Sequence, residues 1–446
     1  MDRRYFLSKS GLLLAAASPL AWASDDENTS RKKKDRHHDD TKPTPQPPPG
    51  GTVKSRVIVI GGGMGGATVA KYLRLWGDGI AVTLVERNSS YISNIMSSMV
   101  LTGQRTMSSL TYNYSKLLSA YGVQVVTDDV VEIDPVGVKV RLGSGTILSA
   151  DRIVLAPGVD FDTVPGLGTS DRMPHAWKAG TQTTLLASQL AAMTDGAPVV
   201  LAIPKAPYRC PPGPYERACL IGDWLKTRKP KSRLTVLDAN PAILTEADNF
   251  TQAFALHGIT YVPNASITSV DPATMSVFTS VGDFRNNGVV NLIPGQRAGG
   301  LVAATGLNNA TMLPGDTTYR FAGVDQLTYA STVSGAGKVH IIGDASATGQ
   351  PKAGHIANQE AKICADAIVR SLAGLQPDPA PVTNSACYST ITMTQASWLT
   401  AVFQYNASTH AMAATTAGSG ASTGWSAENF KEMNTWFNAL MADSFA

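Results

Sequence analysis

The sequence predicts an α/β chain: two dinucleotide-binding, Rossmann-like domains followed by a small α+β domain. Three observations predict it. Residues 56–60 form an apolar, parallel-type strand that runs straight into Gly61-Gly62-Gly63-Met64-Gly65-Gly66, in which Gly61, Gly63 and Gly66 fit G-x-G-x-x-G. A second apolar strand at 198–203, with a companion at 234–238 ending in Asp238, repeats the start of such a unit without its glycine loop. Near the end, Phe430, Met433, Phe437, Leu440 and Met441 recur at helical spacing, a stripe that packs onto the body or a partner.

The first unit is complete in register. After the glycines, Val69, Ala70, Tyr72 and Leu73 mark a helix, and strand 82–85 ends in Glu86, followed by Arg87. The glycine turn presents a helix N-terminus to a pyrophosphate, and Glu86 accepts hydrogen bonds from ribose hydroxyls. The plain alternative is a βαβ unit with a tight turn and no ligand. Two later strands serve the same domain. One, 151–155, ends in Ala156-Pro157-Gly158; the other, 339–342, ends in Gly343-Asp344. Both resemble the strand ends of two-dinucleotide-fold flavoproteins, in which an acid like Asp344 holds the ribityl chain, and it is this resemblance, not spacing, that implies FAD over NAD. Pro351-Lys352-Ala353-Gly354-His355 then opens a helix that runs to about residue 373. Its N-terminus would stabilise negative charge on a reduced flavin, with Lys352 and His355 adding to it. A purely structural role at the helix start is the alternative for His355.

The second unit departs from a nucleotide site at Tyr208-Arg209-Cys210-Pro211-Pro212-Gly213-Pro214-Tyr215-Glu216-Arg217. Backbone N–H groups should approach a pyrophosphate here, yet proline has no N–H to offer. A redox cysteine in place of a nicotinamide loop is the reading these residues support. Cys219 and Cys364 lie in apolar helical patterns and read as buried, inert thiols. Four cysteines permit three complete pairings, and the sequence alone does not choose among them.

At 446 residues, 43% apolar and 16% charged, the chain has the composition of a globular protein of two or three domains. The formal charge of +3 gives no case for nucleic-acid binding. No apolar run long enough to span a membrane follows the N-terminus. Residues 1–23 read as an export signal: Arg3-Arg4 before Tyr5-Phe6-Leu7, an apolar run, then Ala21-Trp22-Ala23 for signal peptidase. The twin arginines point to the route that carries folded proteins to the periplasm, with a general secretory signal as the alternative. Residues 24–54, charged and then rich in proline and glycine, read as a disordered linker.

Together these residues resemble the flavoprotein subunit of flavocytochrome c sulfide dehydrogenase. The likeness covers residues 57–446 and is most specific at 208–217, at Pro351 to Gly354 with Ala357-Asn358, at Cys387-Tyr388-Ser389 and in the closing 436–445. The resemblance implies a fold similar to glutathione reductase: an FAD domain (55–175 and 290–378), an NADH-like domain without a nucleotide (176–289) and a C-terminal interface domain (379–446). It implies that Cys210 and Cys387 form a redox-active disulfide beside the flavin, with Glu216 acting near it, and that sulfide is oxidised and electrons pass to a c-type cytochrome subunit. A plain stabilising disulfide is the structural alternative for the two cysteines. The chain has no C-x-x-C-H, so it carries no c-type haem of its own. One departure stands out. Where many members attach FAD through cysteine, this chain has Asn94, so FAD is expected to bind non-covalently. A sulfide:quinone oxidoreductase-like enzyme and a non-catalytic flavoprotein acting as sulfur carrier or assembly partner are the competing functions.

Overall fold

The computed structural model describes residues 52–312 and 317–446. The expected export signal and most of the expected linker lie outside them.

The first domain is built on a five-stranded parallel sheet in the spatial order Val339–Ile341, Arg152–Leu155, Ser55–Ile60, Ile80–Glu86, Gln124–Thr127. Ile60 pairs with Val85 on one side and Leu155 on the other, so three strands end level with one another. A parallel sheet covered on both faces reads as continuous apolar sequence, and Val57, Ile58, Val59 and Ile60 are all buried. Helix Met64–Trp76 and helix Gly354–Leu372 pack against each other, and both begin at the carboxyl end of the sheet. Ligands in open α/β sheets bind at that end.

The second domain repeats the plan with four parallel strands in the order Thr260–Val262, Leu234–Asp238, Val199–Ile203, Val289–Leu292. Every residue of Val199–Ile203 is buried. The expected short strands near 265–280 are Ile267–Asp271, Ser276–Thr279 and Gly282–Phe284, a separate antiparallel meander. Residues 293–298, expected to return the chain to the first domain, do so partly as strand: Gln296–Ala298 pairs antiparallel with Val159–Phe161.

The C-terminal part is α+β. Strands Val382–Thr390, Ala396–Asn406 and Ala411–Ala421 form an antiparallel sheet, and helix Ala427–Phe445 follows. The helix is capped by Ser426, whose hydroxyl accepts the Asn429 N–H. Of the apolar stripe read from the sequence, Met433, Phe437, Leu440 and Met441 are buried, with Phe445 added beyond it. Phe445 stacks on Tyr91 at 5.1 Å and on Tyr112 at 5.5 Å between ring centroids, so this helix locks onto the first domain.

Candidate active site

A cavity of about 1240 Å³ runs from the carboxyl end of the first sheet to the second domain and the C-terminal sheet. That is larger than the roughly 300–1,000 Å³ of pockets for drug-sized ligands, as an extended dinucleotide requires. Of the residues expected to bind cofactor, Gly61, Gly63, Glu86, Arg87, Ala156, Pro157, Gly158, Gly343, Asp344, Gly354 and His355 line it. Two do not. Gly66 packs behind the turn, where a Cβ would lie 1.7 Å from the Gly61 carbonyl oxygen. Gly61 itself has φ +99° and no room for a Cβ against the Ala156 carbonyl. The turn therefore closes only with glycine at both places.

Lys352 is the second exception and corrects an expectation. Its ammonium donates to the carbonyls of Asp344 (2.8 Å) and Ser346 (2.9 Å) and sits 4.0 Å over the Phe321 ring. Burial lowers its pKa to about 8. Lys352 thus braces the Gly343-Asp344 turn from behind and does not face the ligand. His355 does face the cavity, but its Nδ1 accepts the Ala386 N–H at 3.0 Å, and burial drops its pKa to about 4. It is neutral near pH 7 and adds no positive charge to a flavin, also contrary to expectation.

The cavity fits FAD. The two helices that open onto it, behind Gly63 and Ala353, have no side-chain cap, which leaves their first N–H groups for a ligand. At Gly63 a Cβ would meet nothing closer than 3.8 Å, so the backbone faces open space. Asp344 Oδ1 is buried without a hydrogen-bond partner, an acceptor waiting for a hydroxyl. Glu86 is already partly engaged: its Oε2 accepts the Gly62 N–H at 2.7 Å, and Asn88 donates to Oε1. Asn94 also lines the cavity, and its Oδ1 accepts the Ala179 N–H at 2.7 Å, tying the second domain's approach loop to the first domain. An amide there forms no thioether.

Cys210, Cys387 and Glu216 line the same cavity, close enough for the charges of Cys387 and Glu216 to act on Cys210. The two sulfurs are unlinked. Each thiol is raised by burial, Cys210 far above the usual range and next by the charge of Cys387, and Cys387 to about 12. Cys210 holds φ +59°, a conformation that costs a non-glycine residue about 1–3 kcal/mol. Four hydrogen bonds impose it. The Cys210 N–H donates to the Lys352 carbonyl (2.6 Å), the Cys210 carbonyl accepts the Gly213 N–H (2.9 Å), the Arg209 N–H donates to Gln296 Oε1 (2.9 Å), and Trp177 Nε1–H donates to the Arg209 carbonyl (3.1 Å). The prolines act just beyond the cysteine. Helix Gly213–Arg228 starts with Pro212 as N-cap and Pro214 in its first turn, where a missing N–H costs nothing.

Glu216 sits in that first turn. Thr390 Oγ1 donates to its Oε1 at 2.8 Å, yet burial outweighs this and raises its pKa to about 7. A carboxyl that titrates near neutrality beside two thiols is suited to accept and release protons. Arg217 also borders the cavity and is buried: it donates to Ser98 Oγ, Asn291 Oδ1 and the carbonyls of His175 and Ala176, and lies 4.5 Å over the Trp177 ring. Cys219 and Cys364 are buried away from the cavity, as expected. Sequence reasoning missed Arg209, which lines the cavity 3.9 Å from Asp344 and keeps Nη2 without a partner, and Trp177 and Asn94's bond to Ala179. Arg209 stood in the quoted stretch and was legible as a cation beside the cysteine. The other two are contacts between distant segments.

The second domain closes the equivalent position. Asp238 ends its strand as Glu86 ends the first domain's, but it is fully buried. Tyr215 and Tyr261 donate their phenols to its Oδ2 (2.7 and 2.9 Å), and Asn240 donates twice to Oδ1. The carboxylate that would take ribose hydroxyls is satisfied by the protein.

Comparison with known proteins agrees with this geometry. The family model of the central part of the sulfide dehydrogenase [flavocytochrome c] flavoprotein chain matches residues 183–294. That of the flavocytochrome c sulphide dehydrogenase flavin-binding region matches 379–445, and that of pyridine nucleotide-disulphide oxidoreductases matches 55–195. Among solved structures, the sulfide:quinone oxidoreductase of Aquifex aeolicus superposes with TM-score 0.71 at 18% identity, over 87% of this chain and 91% of that one. A NAD-dependent persulfide reductase from A. fulgidus superposes with TM-score 0.57 at 15% identity, over 87% and 77%. At such identities these two likenesses speak for the fold. The chain is an oxidoreductase with FAD as its cofactor, and its central and C-terminal regions are those of the flavoprotein chain of flavocytochrome c sulfide dehydrogenase by the two models they match.

Proposed function

We propose that this protein oxidises sulfide to zero-valent sulfur or polysulfide through a Cys210–Cys387 redox couple, passing electrons singly to a c-type cytochrome. One observation carries the reading: Cys210, Cys387 and Glu216 converge on the cavity that the FAD-binding turns open. Hydrosulfide attacks one sulfur of the oxidised pair, so that one S–S bond breaks as another forms, leaving a persulfide on one cysteine and a thiolate on the other. A second hydrosulfide takes the outer sulfur away as HSS⁻, and the released cysteine retains a proton. Return to the disulfide removes two electrons, the capacity that FAD supplies when bound. Glu216 accepts the thiol proton in that return, and Arg209 offers the cavity a fixed positive charge for an anionic substrate. The export signal read in residues 1–23 supports a periplasmic location for this chemistry.

The test is anaerobic titration of the FAD-loaded protein with sulfide, with Cys210→Ser alongside. Loss of the oxidised flavin absorbance in the wild type, abolished by the substitution, is the expected outcome. An oxidised spectrum that ignores sulfide in both proteins overturns the reading and favours a carrier or assembly role.

A further inference from the structure

Resting on that reading, the buried site faces a problem of proton balance. Two hydrosulfide ions become HSS⁻ with release of one proton and two electrons. Glu216 collects that proton beside the cysteines, but it faces the cavity and not bulk water.

A second carboxyl lies behind the same strand. Glu246 ends the loop before helix Ala247–His257, next to the exposed Ala247 and Asp248, yet its side chain turns inward. Ser389 Oγ donates to its Oε2 at 2.7 Å and Ser397 Oγ to its Oε1 at 2.6 Å. Ser389 and Ser397 are register partners in the C-terminal sheet. Cys387 and Ser389 are two apart on one strand, so they share a face. Thr390, next in the chain, holds Glu216 at 2.8 Å. Strand Val382–Thr390 therefore carries one thiol and the anchors of both carboxyls within four consecutive residues. Glu246 itself sits at φ +48° and caps nothing, so its conformation serves the contact with the serines.

We propose that Glu246 is the proton outlet of the site: it receives the proton that Glu216 takes from the cysteine pair and delivers it to solvent at the mouth of the 239–246 loop. The groups that face it are Ser389, Ser397 and Cys387 from the sheet, Glu216 and Cys219 from helix Gly213–Arg228, and Asn249 from its own helix. Asp223 acts on Cys219, and Arg217 acts on Glu216. Of the carboxyls around Glu216, Glu246 is the one that joins the sheet holding Cys387 to an exposed loop. Burial, the first cause, raises its affinity for protons above that of an ordinary carboxylate, against the pull of the hydrogen bonds from Ser397, Ser389 and Asn249.

The test mixes FAD-loaded wild type, Glu246→Gln and Glu246→Asp with sulfide anaerobically in repeated turnover with a soluble c-type cytochrome. Each is run with and without imidazole as a small diffusible base. Glu246→Gln is expected to turn over about a hundredfold more slowly near pH 7, the scale of a lost proton-transfer group, and imidazole is expected to restore it. Glu246→Asp, which keeps a carboxyl, is expected to keep most of the rate without imidazole; should the Gln variant not retain FAD, Glu246→Ala takes its place under the same two conditions. Two results overturn the outlet. One is a Gln variant at the wild-type rate across the pH profile. The other is a slowed variant with normal FAD content and melting temperature that imidazole leaves slow, which reduces Glu246 to a tie between loop and sheet. Wild type that sulfide does not reduce overturns the sulfide reading and the outlet together, so the two failures are told apart.

Discussion

The first and second domains are built on one plan and put to opposite uses. Each starts with a buried strand, Ser55–Ile60 or Val199–Ile203, and each pairs it with a strand ending in an acid, Glu86 or Asp238. In the first domain the turn after the strand is glycine, the following helix is uncapped and the acid borders the cavity. In the second the turn is filled by prolines and a strained cysteine, and the acid is consumed by two phenols and an amide. A parallel sheet fixes where a site can be, at the carboxyl ends of its strands, while the turn residues decide whether a phosphate or a thiol occupies it.

The comparison breaks most completely at Gly66. Alanine there places a Cβ 1.7 Å from the Gly61 carbonyl oxygen, a backbone atom that cannot move aside without opening the turn. Gly66→Ala is expected to yield protein without FAD or no soluble protein, measured as flavin absorbance per chain. Next comes Glu216→Gln, which is expected to slow sulfide-dependent flavin reduction by roughly 10²-fold or more. The wild-type rate should also fall as pH drops below about 7. Glu216 acts as a base only when ionised, and burial has lifted its pKa to about 7. The Gln variant should lack that limb of the pH profile. A wild-type rate that is flat from pH 6 to 8 goes against the role given to Glu216.

How far the sequence revealed this contrast depends on the kind of information each feature needs. The glycine turn, the strand-terminal acids and the stretch around Cys210 are local, so each could be picked out from its sequence neighbours alone. The terminal helix was legible because its stripe is periodic and long. Lys352 and His355 were misjudged because the sequence shows that they flank a helix start but not which way they point. One is turned behind the Gly343-Asp344 turn, and the other is neutralised by burial. Glu246 and the Asn94–Ala179 bond were out of reach, since each joins segments 85 or more residues apart that only the folded chain brings together.

The closed state of the second domain can be tested without touching the first. Asp238→Asn keeps the volume but replaces a carboxyl that accepts four hydrogen bonds with an amide whose NH₂ end must face a donor. A buried polar group left unpaired costs about 1–3 kcal/mol. The variant is expected to melt several degrees lower while holding its full complement of FAD, since the first domain's cavity does not include Asp238. Equal loss of FAD and stability would show that the two domains do not keep their sites separately.

The smallest expected effect is none at all, and it is the sharpest statement of the contrast. NADH added anaerobically to the FAD-loaded wild type is expected to leave the flavin oxidised. Three features argue for this together. Pro211 and Pro212 offer no N–H where a pyrophosphate would lie. Tyr215 and Tyr261 occupy the acceptor that ribose hydroxyls need. Arg217, buried under four hydrogen bonds and Trp177, holds the helix start against the neighbouring loop. Any one of these can be bypassed by a small movement, but all three at once require the second domain to repack. Flavin reduction by NADH at a rate near that by sulfide would mean that the domain opens in solution, and the argument from Asp238 would fall first.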